Sequence, residues 1–226
     1  MTTVLITGAN RGIGLQLTKH YANEEFKVYA LCRTPSEAAD LKSVEGNVHI
    51  HQLDVTDPAS IKRLKDEIGN EPIDIFINNG GIYGGHNQEL GTMNYSDWEK
   101  TLATNTIGPV RMVEAFYPNL KAAKEAKLIT ISSLMGSIED ASRGNIFYRT
   151  SKTAVNMAMH CIASDAKEDN ITCIVMHPGW VQTDMGGENA PITTEESVDG
   201  IVHVISGLST YDSGKFLNFR GEEIPW

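Results

Sequence analysis

A chain of 226 residues is long enough to bury a substantial core, and 41% hydrophobic with 21% charged residues is typical of a soluble globular protein. The formal net charge of −10 argues against nucleic acid or an anionic membrane as a general partner. No window reaches the roughly 18 consecutive apolar residues of a spanning helix, and no basic segment with an apolar signal core precedes the first strand. We therefore expect a cytoplasmic protein.

Strand-like and helix-like stretches alternate along the chain. Strands are predicted at 3–7, 27–32, 48–52, 73–77, 127–132, 171–177 and 215–219, and helices near 13–22, 35–42, 58–68, 95–122, 147–166 and 194–208. Most strands are continuous apolar runs, as expected for parallel strands covered on both faces. The pattern predicts one α/β domain over residues 1–226, a Rossmann-type doubly wound sheet of seven mainly parallel strands with helices on both faces.

Local signals refine two of these helices. Ser96 and Thr193 each precede a run containing glutamate with capping-box spacing, which predicts that helices begin there. Pro118 should kink or end the long helix that contains it.

The first strand leads into a turn containing Gly8, Gly12 and Gly14. A strand that passes through such a turn into a helix directs free backbone N–H groups and the positive end of the helix dipole at one point. This arrangement suits a pyrophosphate. The spacing is not the commoner G-x-G-x-x-G, and the alternative is an ordinary glycine-rich turn.

A dinucleotide site usually carries an acidic residue after the second strand, where it binds the ribose 2′-hydroxyl. Here that position holds Arg33, and Arg11 adds a second cation in the glycine turn. Either arginine alone is typical of a protein surface. Together they favour a 2′-phosphate, and hence NADP(H) rather than NAD, because guanidinium groups bind phosphate oxygens bidentately.

Polar residues also follow the third and fourth strands, at the edge where a doubly wound sheet binds its ligand. Asp54 can accept a hydrogen bond from an adenine amino group or simply start the next turn. Asn79, Gly80 and Gly81 either form a plain turn or bring the backbone close to a ligand.

The spacing Tyr-x-x-x-Lys occurs at Tyr117 and Lys121, Tyr148 and Lys152, and Tyr211 and Lys215. The first pair precedes the fifth strand, and the third lies in a turn. Tyr148 and Lys152 lie on one face of a predicted helix and follow the strand that ends near Ser133. We therefore select this pair.

The selected residues suit carbonyl reduction. Hydride addition to a carbonyl requires a proton for the developing alkoxide, and a free tyrosine has a pKa of about 10. The Lys152 ammonium stabilises the phenolate of Tyr148 and lowers its pKa. Ser133 can hold the substrate oxygen by a hydrogen bond.

Several motifs in register resemble the short-chain dehydrogenase/reductase family over essentially the whole chain. They are residues 7–14 (TGANRGIG), 78–81 (NNGG), 105–108 (NTIG), Ser133, the Tyr148–Lys152 pair and Pro178-Gly179. Residues 177–187 and the C-terminal tail 214–226 are similar to the subgroup of sniffer-type carbonyl reductases and C-factor-like proteins. Gly80 departs from the family pattern, which usually has alanine there.

The resemblance implies roles for individual residues. Ser133, Tyr148 and Lys152 would be catalytic, and Asn105 would complete a tetrad by holding a water that relays protons to Lys152. Thr183 would contact the nicotinamide amide. The implied cofactor-binding set is Gly8, Asn10, Arg11, Gly12, Ile13, Gly14, Arg33, Asp54, Val55, Asn79, Gly80, Gly81, Tyr148, Lys152, Pro178, Gly179, Val181 and Thr183.

The predicted function is an NADPH-dependent carbonyl reductase for aldehydes, ketones or quinones. The alternative is a C-factor-like signalling or cofactor-sensing protein with little or no turnover. The segment between Thr183 and the last helix is short, which suggests an open pocket; Tyr83, Trp180 and Met185 are candidate walls or ordinary packing. The family resemblance implies a homodimer or homotetramer formed through the two long helices.

Cysteine and histidine indicate no further chemistry. Cys32, Cys161 and Cys173 cannot all pair and form no C-x-x-C motif, so we expect reduced, buried thiols. His49 and His51 share a strand face, but no other ligand accompanies them. We predict no metal site.

Overall fold

The computed structural model describes residues 1–142 and 144–226, and within them seven strands form one sheet. The strands are β1 (Thr3–Thr7), β2 (Lys27–Cys32), β3 (Val48–Gln52), β4 (Ile75–Asn78), β5 (Ala126–Ile131), β6 (Ile171–His177) and β7 (Phe216–Asn218). Their order is β3-β2-β1-β4-β5-β6-β7, and each neighbouring pair is parallel. The predicted fold class is confirmed, with strand ends shifted by at most two residues.

Helices cover both faces of the sheet. They are α1 (Gly12–Asn23), α2 (Ala39–Lys42), α3 (Pro58–Ile68), α4 (Tyr95–Leu102), α5 (Gly108–Ala122), α6 (Ile146–Asp165) and α7 (Thr194–Gly207). Side chains of α3, α5 and α6 pack with Leu5 and Phe76 on one face, and side chains of α1, α2 and α7 pack with Val4 and Ile6 on the other. Adjacent residues of a strand therefore enter opposite cores, which explains the continuous apolar runs.

The central strand β1 pairs with β2 on one side and with β4 on the other. The chain therefore changes its winding direction between β1 and β4. The loops that follow these two strands diverge to opposite faces and open a crevice at the carboxyl edge of the sheet. This crevice positions the site described below.

The prediction of one long helix over 95–122 is wrong in the middle of that range. A π-helical segment (Ala103–Ile107) separates α4 from α5, and the N–H of Gly108 donates to the carbonyl of Ala103 five residues earlier. Pro109 has no N–H to offer the carbonyl of Asn105, so the regular α-helical ladder cannot pass this point. Wide turns of this kind often lie at functional sites.

The three local predictions have different outcomes. Asn94, not Ser96, caps α4, because its side-chain oxygen accepts the N–H of Ser96 at 3.2 Å. The helix α5 does not end at Pro118, whose side chain is exposed, but continues to Ala122. Thr193 caps α7 as predicted, accepting from the N–H of Glu196 at 3.1 Å.

The described part of the chain contains no helix with the length and apolar character required to cross a membrane. Cys32 and Cys173 are buried, as expected. Cys161 is exposed on α6, contrary to the expectation that it packs in the core.

Candidate active site

The glycine turn is shaped by close backbone approaches. Gly8 has a φ of +67°, and a Cβ there would lie 2.8 Å from the Cα of Gly80. A Cβ on Gly14 would lie 2.2 Å from the carbonyl oxygen of Gly8. The N-cap of α1 is Arg11, whose side chain makes no capping hydrogen bond, so no side chain there satisfies the first N–H groups of the helix. The turn can therefore cradle an anion.

Asn79 and Thr7 join the loops after β4 and β1. The N–H groups of Asn79 and Gly80 each donate to the Thr7 hydroxyl at 3.0 Å. The side-chain amide of Asn79 donates to the carbonyls of Thr7 at 3.0 Å and Gly8 at 3.2 Å. The role of the Asn79 amide is thus to hold the glycine turn against β4.

A cavity of about 870 Å³ lies along this edge of the sheet. It brings together most of the predicted cofactor residues: Gly8, Asn10, Arg11, Gly12, Ile13, Arg33, Asp54, Val55, Asn79, Gly80, Gly81, Tyr148, Lys152, Pro178 and Thr183. Gly14, Gly179 and Val181 are not in its wall. Gly179 packs against Ile192, with which Val181 also forms a β-bridge.

Both predicted cations lie in the cavity wall, together with two lysines that the sequence argument missed, Lys19 and Lys100. Lys19 lies seven residues after Gly12 and on the same helical face, so helical spacing provides a signal for it. Arg11 is ion-paired with Asp184, and both side chains are well exposed.

Asp54 forms the turn after β3. One carboxylate oxygen accepts the N–H and the hydroxyl of Thr56 at 2.9 and 2.7 Å. Partial burial acts to raise the pKa of Asp54, but the hydrogen bonds from Thr56 outweigh it and the pKa is lowered. Its proposed role toward adenine stays a prediction.

Tyr148 lies in the first turn of α6 and is 8% exposed. Burial raises the pKa of the phenol to about 12, a hydrogen bond with Ser133 acts to lower it, and the nearby Tyr83 acts to raise it. The neighbouring Ser132 is instead buried and donates to the side-chain oxygen of Asn156 at 2.6 Å. Of the two serines, Ser133 is the one that acts on the pKa of Tyr148, and its hydroxyl oxygen accepts the N–H of Met135 at 3.2 Å. The residue in the cavity wall is Ser132, so the predicted contact of Ser133 with the substrate oxygen stays a prediction.

Lys152 is 5% exposed, and its ammonium donates to the carbonyl of Ile131 at 2.9 Å. Its Nζ lies 5.6 Å from the ring centroid of Tyr148. Burial lowers the pKa of this ammonium to about 8. The lysine is therefore a buried cation beside the phenol. The expected lowering of the Tyr148 pKa by Lys152 is not found, because burial of the phenol dominates and raises that pKa.

Asn105 lies in the π-helical segment and is buried. Its amide donates to the carbonyl of Ile82 at 2.8 Å and to the Ser151 hydroxyl at 3.0 Å, and its oxygen accepts the N–H of Ile82 at 2.9 Å. A Cβ on Gly81 would lie 3.3 Å from this oxygen and 3.6 Å from the Lys152 nitrogen. The side chain thus fixes the loop after β4 close to Lys152, and the predicted water relay stays a prediction.

The other Tyr-x-x-x-Lys pairs lie away from the cavity. Tyr117 donates to Asp169 at 2.7 Å, and Lys121 forms an ion pair with the same carboxylate at 2.8 Å. The third tyrosine, at position 211, is 92% exposed. The structure thus supports the choice of Tyr148 and Lys152.

The three candidate pocket walls differ in their surroundings. Met185 lines the cavity. Trp180 is 57% exposed and donates through its indole N–H to the carbonyl of Gly186 at 2.8 Å. Tyr83 does not line the large cavity but stacks on Tyr148.

Comparison with known proteins identifies the family. Residues 2–192 match the family model described as short chain dehydrogenase. The chain is similar to the NADPH-bound carbonyl reductase from chicken fatty liver, with 37% identity, coverage of 100% of this chain and 99% of that one, and a TM-score of 0.91. The chain is also similar to the carbonyl reductase Sniffer of D. melanogaster, with 31% identity, coverage of 100% of both chains and a TM-score of 0.90.

The chain therefore belongs to the short-chain dehydrogenase family, and the predicted family and enzyme class are confirmed. It is also 38% identical to the C-signal protein of Myxococcus xanthus over 69% of this chain and 93% of that protein. Both subgroups that the sequence resembles are thus represented among the relatives. The NADPH in the chicken enzyme agrees with the cofactor predicted from Arg11 and Arg33.

Proposed function

We propose that the protein is an NADPH-dependent carbonyl reductase. The observation that carries this proposal is one cavity with cations at one part of its wall and a buried tyrosine–lysine pair at another. Arg11 and Arg33 suit a 2′-phosphate. Tyr148 and Lys152 suit proton delivery to a carbonyl oxygen.

The residues present fit the dinucleotide. The backbone of the glycine turn and the start of α1 would hold the pyrophosphate, since side chains at Gly8 and Gly14 would collide with backbone there. Asp54 and Val55 would meet the adenine, and Lys152 and Thr183 the nicotinamide half. NADPH, when bound, supplies the hydride that reduces the carbonyl carbon to an alcohol.

The side chains of the site then transfer one proton to the substrate oxygen. Ser133 donates a hydrogen bond to the substrate oxygen and positions it beside Tyr148. The Tyr148 hydroxyl gives its proton to that oxygen as the C–O double bond is reduced, which leaves a phenolate. The Lys152 ammonium, with its charge beside the ring, stabilises this phenolate until a proton returns from solvent. We propose that Asn105 supports that return by positioning a water near Lys152.

The experiment is an NADPH-consumption screen over aldehydes, ketones and quinones with the wild type and Tyr148→Phe. The variant should lose roughly 10²–10⁴ in turnover, because it keeps the ring and removes the proton donor. NADPH binding by fluorescence should persist and serves as the folding control. Full turnover by Tyr148→Phe would refute the proposed mechanism.

A second function is favoured by the similarity to C-signal, which raises the alternative of a protein that binds the cofactor and signals. The same screen separates the two functions. Tight NADPH binding without turnover of any carbonyl would favour the signalling protein. Turnover that depends on Tyr148 would favour the reductase.

We also propose that residues 1–226 act as one domain and associate as a homodimer or homotetramer through α5 and α6. This proposal rests on the family resemblance. Light scattering on the purified protein measures the mass directly, and a monomer at micromolar concentration would refute it.

A further inference from the structure

We propose that Tyr83 determines substrate specificity by offering an aromatic surface to flat, conjugated carbonyl compounds. The ring of Tyr83 stacks on that of Tyr148, with centroids 4.9 Å apart and an interplanar angle of 30°. Tyr83 is 39% exposed, whereas Tyr148 is 8% exposed. The inference rests on the proposed function, because it concerns the substrate of the same site.

The position of Tyr83 is fixed from both sides. The preceding residue, Ile82, exchanges two backbone hydrogen bonds with the side chain of Asn105. The following residue, Gly84, has a φ of +97°, and a Cβ there would lie 2.5 Å from the Thr101 hydroxyl. The backbone on both sides of Tyr83 is therefore fixed by contacts, and the ring that it carries stacks on Tyr148.

Two exposed apolar side chains follow a proposed catalytic residue in the chain or line the cavity. Leu134, which directly follows Ser133, is 40% exposed, and Met185 in the cavity wall is 45% exposed. A substrate whose oxygen reaches Tyr148 lies close to Tyr83, because the two rings are stacked. A planar conjugated carbonyl on the exposed part of the Tyr83 ring gains the stacking interaction of an aromatic pair, which a puckered aliphatic compound of equal size lacks.

A different role for Tyr83 would be to shield Tyr148 from water. Shielding alters the phenol and hence affects every substrate equally. Stacking alters only the discrimination between substrates. The ratio of kcat/KM values for two matched substrates therefore separates the two roles.

The test compares benzaldehyde with cyclohexanecarbaldehyde in the wild type, Tyr83→Phe and Tyr83→Leu. Tyr83→Leu should lower the ratio of kcat/KM for benzaldehyde over cyclohexanecarbaldehyde by about 2- to 12-fold, as expected for loss of one aromatic pair. Tyr83→Phe keeps the ring and should leave the ratio within about twofold of the wild type. An unchanged ratio in Tyr83→Leu would overturn the proposal.

Binding provides a readout that does not need turnover. In the presence of NADPH, benzamide should bind more weakly to Tyr83→Leu than to the wild type, and cyclohexanecarboxamide should bind equally to both. If the wild type reduces neither aldehyde, the screen over ketones and quinones still tests the proposed function, and these two dissociation constants still decide the role of Tyr83. Equally weakened binding of both amides to Tyr83→Leu would overturn the proposed role of Tyr83.

Discussion

The guanidinium of Arg11 is ion-paired with the carboxylate of Asp184 at the wall of the cavity. This contact joins the turn after β1 to the loop after β6, residues that are 173 positions apart in the chain. Near the same place, a Cβ on Gly12 would lie 3.2 Å from Thr183. If Arg11 binds a 2′-phosphate as proposed, Asp184 would compete with that phosphate for it, whereas Arg33 has no ion-pair partner among the described residues.

Removing this competitor should strengthen cofactor binding. Asp184→Asn is expected to lower the dissociation constant of NADPH by up to about fivefold, because an exposed ion pair contributes roughly 0.2–1 kcal/mol. Fluorescence titration at low ionic strength measures the effect, which should shrink in salt. Asp66→Asn, which breaks the exposed pair with Lys62, is the matched control and should change nothing. Weaker NADPH binding by Asp184→Asn would contradict the competition.

Arg33 carries the second prediction. Arg33→Asp should weaken NADPH roughly 10- to 150-fold, since a charge-assisted contact of about 1.5–3 kcal/mol is lost. NADH lacks the 2′-phosphate and should bind as before or better. The control is Arg63→Asp on α3, an exposed arginine outside the cavity wall. If the preference for NADPH over NADH survives in Arg33→Asp, the 2′-phosphate assignment is wrong.

Tyr117 provides a comparison with the catalytic candidate. Tyr117→Phe removes the hydrogen bond to Asp169 and should cost about 1 kcal/mol in the free energy of unfolding, at the low end for a bond to a charged group because the site is partly exposed. Carbonyl reduction should be unchanged. Urea unfolding and the NADPH assay measure the two quantities. The opposite pattern is expected for Tyr148→Phe, so an activity loss shared by both variants would defeat the assignment.

The Tyr-x-x-x-Lys spacing, which occurs three times in the chain, shows what can be predicted from the sequence alone. The spacing shows at most that the two residues of a pair lie on one helix face. Only the position after the fifth strand distinguishes Tyr148 from the other two tyrosines. The positions of the strands follow in the same way, because buried parallel strands are continuous apolar runs. The predicted strands agree with the structure to within two residues at each end, whereas the catalytic role of Tyr148 stays a prediction.

The contacts that escaped prediction depend on tertiary structure. Asn105 is recognisable only by its motif. Nothing in the sequence around it predicts that its amide binds the backbone of Ile82, because that contact forms only when the loop after β4 folds against the π-helical segment. The Arg11–Asp184 pair joins distant segments for the same reason. The break in the helix predicted over 95–122 does have a signal in the sequence, because Pro109 lacks the N–H that a regular helix needs there.

Gly80, where the family usually has alanine, gives a stability prediction. Its φ is not positive, and an added Cβ would lie 3.5 Å from the Thr7 hydroxyl, an ordinary contact. Gly80→Ala should raise the free energy of unfolding by about 0.4–1 kcal/mol, because alanine reduces the conformational entropy of the unfolded chain. Gly8→Ala is the matched control and should destabilise, because its φ is +67° and its Cβ would meet Gly80 at 2.8 Å. Chemical denaturation measures both, and destabilisation by Gly80→Ala would show that the turn needs glycine.

The lowered pKa of Lys152 gives a prediction for the pH dependence of cofactor binding. Burial lowers the pKa of its ammonium from 10.5 to about 8, so the charge is present at pH 7 and lost as the pH rises through about 8. Tyr148, with its pKa raised to about 12, keeps its proton over this range. If the ammonium contacts the cofactor, NADPH should bind about tenfold more weakly at pH 10 than at pH 7. Lys152→Arg stays charged and should bind without this dependence. Equal wild-type affinities at the two pH values would mean that Lys152 keeps its proton or does not hold the cofactor.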